Sequence, residues 1–385
     1  MIVLKDKSEC CGCTACASVC PRDAIEMRPD GMGFLYPEVD RGKCVDCGMC
    51  ERVCSFNDGY ETDGNLRRPE TYGARHKDVH EVETSRSGAA FVALSDCVLG
   101  AGGVVYGAGY GDGFRVVHKR AATKKERDEF KGSKYVQSDL RGVFREVKGD
   151  LKEGKTVLFT GCPCQTAGLR AYIGKELGKG LLLMDIVCAG VPGPYVWRDY
   201  VAYVERKRGG KVCRVNFRDK QVYGWEAHHE TFELEGGGGR KERMKGRFYR
   251  DILFRPCCNV CHFANTRRPS DVTIADFWSW KKADAEFGKD GKGVSLVMVN
   301  SEKGRRLFEE GRKDLDCFAV RLEDAMQNHL RKPTDANPER EAFEKDYLER
   351  GLEHAFGRFG LTGWRLTLRR MMNRWKRMTG KGTGR

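Results

Sequence analysis

Two copies of one cysteine spacing constrain this chain more than any other feature. Cys10, Cys13, Cys16 and Cys20 are separated by two, two and three residues, with Pro21 following; Cys44, Cys47, Cys50 and Cys54 repeat the intervals, with Ser55 in place of the proline. Three thiolates so spaced let a looping backbone wrap one corner of a cubane, while the fourth, beyond a turn, reaches the neighbouring cluster. The pattern predicts two [4Fe–4S] clusters within residues 1–56, one held by Cys10, Cys13, Cys16 and Cys54 and the other by Cys44, Cys47, Cys50 and Cys20. Structural zinc sites use two short Cys pairs with a longer gap between them, which two complete four-cysteine runs do not match. Cys11 falls outside the register and reads as a bystander. Between the runs, residues 25–27 and 33–36 flank Pro29, Asp30 and Gly31 in a hairpin pattern.

Nine of the 18 cysteines lie between Cys10 and Cys54. Disulfide scaffolds are short and secreted, whereas this sequence starts without a charged region, apolar stretch and cleavage site, so a cytoplasmic, reducing location is expected. No apolar run approaches the roughly 20 residues of a membrane helix. The net charge of +14 raises the question of nucleic acid, but residues 351–385 hold nine Lys or Arg against one acidic residue, Glu353, and so supply +8 of it. A body of 350 residues with only the remaining +6 argues against a nucleic-acid partner.

Residues 57–70 are polar and rich in Gly, Asn and Asp, so residues 57–71 read as a linker. The body that follows divides at about residue 150 into segments 72–150 and 151–335. Its pattern is α/β: a helix over 89–99, a strand over 102–107, a glycine turn over 107–113, a return strand at Val116 and Val117, and a solvated helix over 119–130. Short apolar strands at 156–160 and 181–187 open onto Cys162, Cys164 and Cys188, the position at which α/β folds concentrate chemistry. The glycines at 107–113 miss the dinucleotide register because position 112 is Asp, and Gly236 to Gly239 read as a flexible loop. Cys164, Cys188 and the pair Cys258 and Cys261 lie beside Gly or Pro in turns; a third [4Fe–4S] cluster, zinc or plain burial all suit their spacing. His118, His228 and His229 read as hydrogen-bonded or surface groups. In the tail, 336–385, Trp364, Leu368, Met371, Met372, Trp375 and Met378 share one helical face among arginines, which suits a membrane surface or a partner over residues 361–378, or a helix packed on its own body.

The segments Ser85-Arg-Ser-Gly-Ala89, residues 102–107, Lys131-Gly-Ser-Lys-Tyr-Val-Gln-Ser138, Gly161-Cys-Pro-Cys-Gln165 with its sequel to Leu169, residues 187–192, Arg255-Pro-Cys-Cys-Asn-Val-Cys261 and Ser270 to Trp278 occur in one order. Together they resemble the coenzyme F420 hydrogenase/dehydrogenase beta-subunit family of iron–sulfur flavoproteins, over residues 72–335. The resemblance implies a bacterial-ferredoxin-like domain followed by an α/β flavin-binding domain. It implies a third [4Fe–4S] cluster on Cys164, Cys188, Cys258 and Cys261, with Cys162 and Cys257 standing where relatives often have Thr and Ser. It also implies FAD, for which Ser87, Gly88, Gly132, Ser133, Lys134 and Tyr135 are the candidates: small residues for a pyrophosphate, a cation for its charge, an aromatic for the ring. Asp276 and Trp278 match as well, in a structural or a catalytic role. Ala89 replaces a second glycine common in relatives.

The expected function is an oxidoreductase moving electrons between a one-electron protein partner, the clusters, FAD and a small-molecule substrate, either a deazaflavin coenzyme or another compound such as a glycan-pathway intermediate. The contrasting expectation is an electron-transfer subunit without a substrate of its own. Clusters of this kind suit an anaerobic source, and the tail suits peripheral attachment to the inner membrane surface.

Overall fold

The computed structural model describes residues 1–56, 59–237, 241–244 and 250–362. The expected amphipathic helix over 361–378 lies outside the described residues, except for its first two positions. Among the described residues thirteen strands form three sheets. β1 (Ile25–Pro29) and β2 (Leu35–Val39) pair as the expected antiparallel hairpin in the N-terminal module. β3 (Asn65–His76), β4 (Val104–Tyr110), β5 (Val116–Ala121), β6 (Val157–Gly161) and β7 (Leu181–Ile186) belong to the main sheet. β8 (Val212–Asn216), β9 (Glu230–Leu234) and β10 (Lys241–Met244) make a small sheet, and β11 (Val272–Asp276), β12 (Ser295–Ser301) and β13 (Leu315–Val320) complete the main one.

The main sheet runs in the order β13-β3-β12-β11-β7-β6-β4-β5. Its centre, β11-β7-β6-β4, is parallel, and the outer pairings are antiparallel. Central strands covered on both faces need continuous apolar runs, and β12 is buried at all seven positions. One face is covered by the helices Ala90–Gly100 and Glu302–Gly311, which share a core with Val105, Leu158, Val297 and Val299. The other is covered by Val143–Lys152 and Pro163–Leu177, packed on Val104, Tyr106, Val157 and Phe159. The fold is thus the mixed α/β architecture expected, with the ferredoxin-like module in front.

Several local readings change in the structure. Residues 65–71 are the first part of the 12-residue β3 rather than linker, because pairing with β12 and β13 satisfies their backbone. Residues 119–121 continue β5; Lys124–Arg127 is α-helical, started by a capping box between Thr123 and Glu126, and Asp128–Phe130 continues it as a 3-10 turn. Arg127 is 1% exposed rather than solvated, since Asp96 pairs with it at 2.7 Å. Arg340–Arg358 is a helix whose Phe343, Tyr347 and Phe356 join a core with Trp197 and Tyr200.

The N-terminal module is not an appendage. Ala15 lies in the core beneath Val143–Lys152 and Pro163–Leu177, and Met32 and Phe34 lie in the one around Trp197. A particularly close approach is at Gly168: a β-carbon there would fall 2.6 Å from Cys13 Sγ and 2.9 Å from Cys13 Cβ. Gly168→Ala is expected to destabilise by about 1–3 kcal/mol through overpacking and to displace Cys13. Denaturation melts together with iron content check this, and a variant matching the parent in both would remove the contact from the account.

Candidate functional site

Three groups of thiols line up from the N-terminal module into the body. Cys10, Cys13, Cys16 and Cys54 face one another closely enough that each deprotonation would repel the next. The second group, Cys20, Cys44, Cys47 and Cys50, lines one cavity. In each run the residue after the second cysteine, Thr14 or Gly48, adopts left-handed φ, 69° and 70°, which turns the chain to aim the third thiol inward. Backbone N–H groups point at sulfur: Gly12 to Cys10, Ala24 to Cys20 and Ile2 to Cys50, each at 3.3 Å. Burial pushes the thiols of Cys10 and Cys16 up, so a bound metal must displace their protons if they are to act as thiolates. That donor set, sulfur only and four per group, fits iron–sulfur clusters.

The third group comes from three places in the body. Cys162 caps the helix Pro163–Leu177 and Cys164 lies in its first turn. Cys188 follows β7, and Cys257, Cys258 and Cys261 occupy and end the short helical turn Pro256–Val260. All six, with Cys11, line one cavity. The Cys162 and Cys188 sulfurs are 3.8 Å apart. Cys11, outside the register of the run, is 3% exposed and lies beside Cys13 of the first group and Cys164 of the third. Burial pushes Cys261 up to about 12, so it too needs a metal to become a thiolate. Among the described residues no three His, Cys, Asp or Glu side chains converge as a mononuclear metal site would require; the seven thiols surround a space instead.

Buried polar residues hold this group in place. Asp185, 0% exposed at the end of β7, pairs with Arg268, 1% exposed, at 3.0 Å. Arg268 also donates to the carbonyls of Ile186 at 3.0 Å and Phe263 at 2.8 Å, joining the approach to Cys188 to the loop after Cys261. Gln165 accepts from Cys162 N and donates to Ser138 Oγ, both at 2.9 Å. Gln137 donates to the Cys11 carbonyl at 2.8 Å. His118 is buried, meets the Thr160 carbonyl through Nε2 at 2.8 Å, and is lowered to about 4 by burial, as befits a neutral, structural imidazole.

A second cluster of chemistry lies at the end of β11. Asp276 accepts from Arg218 Nη1 at 2.6 Å and Trp225 Nε1 at 2.7 Å. Although burial opposes it, Arg218 and Arg86 hold this carboxylate below its usual range. Arg218 also reaches Tyr135 Oη at 3.3 Å and lies 5.1 Å from the Trp278 ring centre. Trp225 stacks on Trp278 with centroids 5.1 Å apart, and His228 stacks beyond at 6.0 Å, lowered to about 4 by burial. Lys220 donates to the carbonyls of Ser87 at 2.9 Å and Lys292 at 2.8 Å. Trp278 remains 42% exposed. The arrangement offers a flat aromatic face beside cations, a donor set suited to a planar ring carrying negative charge.

The six residues expected to hold a flavin separate. Tyr135 and Ser87 touch this cluster. Gly88 packs against the sheet: a β-carbon there would fall 2.3 Å from the Ala74 carbonyl and 2.7 Å from Ser295 N. Lys134 clamps its own turn, donating to the carbonyls of Glu129 at 2.8 Å, Lys131 at 3.0 Å and Gly132 at 3.3 Å, and burial lowers it to about 7. Gly132 is at the surface and Ser133 half-buried in that turn. The sequence alone did not single out Arg86, Arg218, Lys220 or Trp225; the tryptophan and two cations within residues 218–225 were the available signal. Asp276→Ala is expected to cost about 3–5 kcal/mol, since it strips the buried Arg218 of its carboxylate. Chemical denaturation followed by tryptophan emission would measure it, and a loss below about 1 kcal/mol would mean the pair is not buried as described.

Comparison with known proteins agrees with the cysteine geometry. Residues 154–323 match the family described as the C terminus of the coenzyme F420 hydrogenase/dehydrogenase beta subunit, and residues 9–57 match the 4Fe-4S dicluster domain. No curated protein matches the chain. Among solved structures, a chain of the xenon-derivatised F420-reducing [NiFe] hydrogenase complex from Methanosarcina barkeri is similar at 14% identity, covering 76% of this chain and 90% of that one, with a TM-score of 0.46. A likeness that distant carries no argument.

Proposed function

We propose that this chain, whose residues 154–323 match the C terminus of the coenzyme F420 hydrogenase/dehydrogenase beta subunit behind a 4Fe-4S dicluster domain, is an iron–sulfur flavoprotein oxidoreductase acting on a soluble two-electron substrate. The observation that carries the proposal is one of placement. The seven-thiol cavity is joined to the first cluster's Cys13 through Cys11, and the aromatic–cationic cluster lies at the end of the adjacent strand, where Ile274 pairs with Ile186. A one-electron path and a two-electron site therefore share one edge of the sheet.

Each part has residues in this chain. The N-terminal domain, 1–56, would hold two clusters on the two sets of four cysteines. Segment 151–335 would hold the third, with Cys164, Cys188, Cys258 and Cys261 as ligands. Cys162 stands beside Cys188, and Cys257 is buried next to Cys258 in the chain. Segment 72–150 supplies Ser87 and Tyr135 to the flavin site. There Trp278 would face the ring, Arg218 and Tyr135 would orient its polar edge, and Lys220 and Arg86 would oppose its negative charge. A bound FAD supplies the exchange between single electrons and a hydride. The coenzyme in the family's name is the first substrate to try.

A relay without its own substrate is the second reading, favoured by the exposure of Cys47 and of Val45, 61% exposed, at the second cluster's rim. That rim is where a protein partner would exchange electrons. Among the described residues no helix is long and apolar enough to cross a membrane.

Anaerobic purification with iron and flavin quantification tests the composition: about twelve irons and one FAD per chain are expected. Cys188→Ser should lose about four irons and keep the rest. About eight irons without flavin in the parent would overturn the flavoprotein reading, and turnover that requires a second protein would favour the relay.

The charge on Lys220 gives a second test. Burial lowers it to about 7, with Arg86 pushing the same way and Asp276 opposing; Arg75 and Glu83 also face it. It is cationic below that value and neutral above, so FAD affinity should weaken as pH rises from about 6 to 8. Lys220→Arg stays charged throughout and should flatten the dependence. An unchanged slope would exclude Lys220 as the titrating group.

A further inference from the structure

Five arginines are buried among the described residues: Arg127, Arg218, Arg255, Arg268 and Arg340. Four have a carboxylate partner, at 2.7 Å from Asp96, 2.6 Å from Asp276, 3.0 Å from Asp185 and 2.7 Å from Glu344, respectively. Arg255 differs. It is 0% exposed, and its three hydrogen bonds all end on neutral oxygens: the Cys10 carbonyl at 2.7 Å, Gln137 Oε1 at 2.8 Å and the Leu35 carbonyl at 2.8 Å. Its guanidinium lies 4.2 Å from the Tyr36 ring centre and 5.4 Å from that of Phe34.

A buried cation left without an anion is strongly destabilising, and a guanidinium does not escape by losing its proton. The anion must come from elsewhere. The groups that act on Arg255 most strongly include Cys257, Cys10 and Cys11. Cys10 belongs to the first cluster, and Cys257 adjoins Cys258 in the third thiol group. A cluster held by four thiolates carries net negative charge, which grows when it accepts an electron.

We propose that Arg255 is the shared counter-ion of the first and third clusters, a positioning residue that raises both reduction potentials relative to the second cluster. The geometry gives it both duties. Its bonds to Cys10 and Leu35 seat the N-terminal module against the body, and its side chain lines the cavity of the third thiol group while bonded to the Cys10 backbone of the first. The second set, Cys20, Cys44, Cys47 and Cys50, lines a separate cavity that Arg255 does not reach. Electrons arriving at the second cluster would then run downhill toward the body. The part concerning the third cluster rests on the proposed function; the part concerning the first rests on the dicluster domain alone.

The test is an EPR-monitored redox titration of the full chain, prepared anaerobically, with the second cluster's signal assigned through Cys47→Ser. Gln137→Glu places a carboxylate where Arg255 Nη1 already donates, so it pairs the cation while keeping the guanidinium in place. Arg255→Met removes the charge, and Arg255→Lys keeps it. Gln137→Glu and Arg255→Met should each lower the first and third potentials by at least a tenfold change in the oxidised-to-reduced ratio, about 59 mV for a one-electron couple. The second potential should stay in place, and Arg255→Lys should track the parent. If Arg255→Met fails to fold, Gln137→Glu against Arg255→Lys decides alone. Potentials that do not move, or all three moving together, would overturn the proposal. A parent with about eight irons would sink the third cluster and leave the first cluster's shift to decide Arg255.

Discussion

The ion pair between Asp185 and Arg268 fixes the geometry on which the body's chemistry depends. Burying both charges completely makes the pair a poor source of net stability, because desolvation offsets most of the Coulomb attraction. Its effect is on specificity. Asp185 also accepts from Thr273 Oγ1 at 2.6 Å, and Arg268 binds carbonyls on both sides of the third thiol group. The end of β7, the start of β11 and the loop carrying Cys261 therefore cannot shift independently. The segments carrying Cys188 and Cys261 are thereby held together, while Gln165 fixes the turn at Cys162 that completes the cavity.

The same constraint brings two kinds of site together. Parallel strands end on one edge of a sheet, and loops leaving that edge converge. β6 delivers Cys162 and Cys164, β7 delivers Cys188, and β11 delivers Asp276 and Trp278 one strand further on. Thiols gather where the backbone turns tightly at Pro163, Gly190 and Pro256. Arginine and tryptophan gather where the small sheet β8-β9-β10 overhangs β11 through Arg218 and Trp225. The sulfur-lined space thus opens from the ends of β6 and β7, and the aromatic–cationic one from the end of β11, the next strand.

Much of this was legible in the sequence, and the limits have physical causes. The ferredoxin runs could be read because their ligand geometry is set by a few consecutive residues, so spacing alone encodes it. Cys11 breaks that register, and its contact with Cys164 depends on docking the module against the body, which no local spacing records. The Ser270 to Asp276 segment read as one motif, yet it divides: Asp271 accepts from Leu183 N at 2.9 Å and from Ser301 Oγ, stapling three strands, while Asp276 faces the aromatic cluster. Lys134 drew notice as a cation in a glycine turn, but its ammonium serves three carbonyls of that turn. Arg218, Lys220 and Trp225 lie in an irregular stretch with neither period nor spacing, where only tertiary packing assigns a role.

Sharing a core changes what the N-terminal module can be. A free ferredoxin could lose its clusters and leave a partner protein intact. Here Ala15 packs with Phe144 and Leu169, Met32 and Phe34 pack with Trp197, and Arg255 is buried at the junction. Without negative charge on the surrounding sulfurs, that guanidinium would be an uncompensated buried ion, and thiols raised by burial stay neutral until metal binds. Negative charge on a cluster held at Cys10 would supply the counter-charge that this guanidinium lacks among its hydrogen-bond partners, so docking of the module and loading of the first cluster would favour each other.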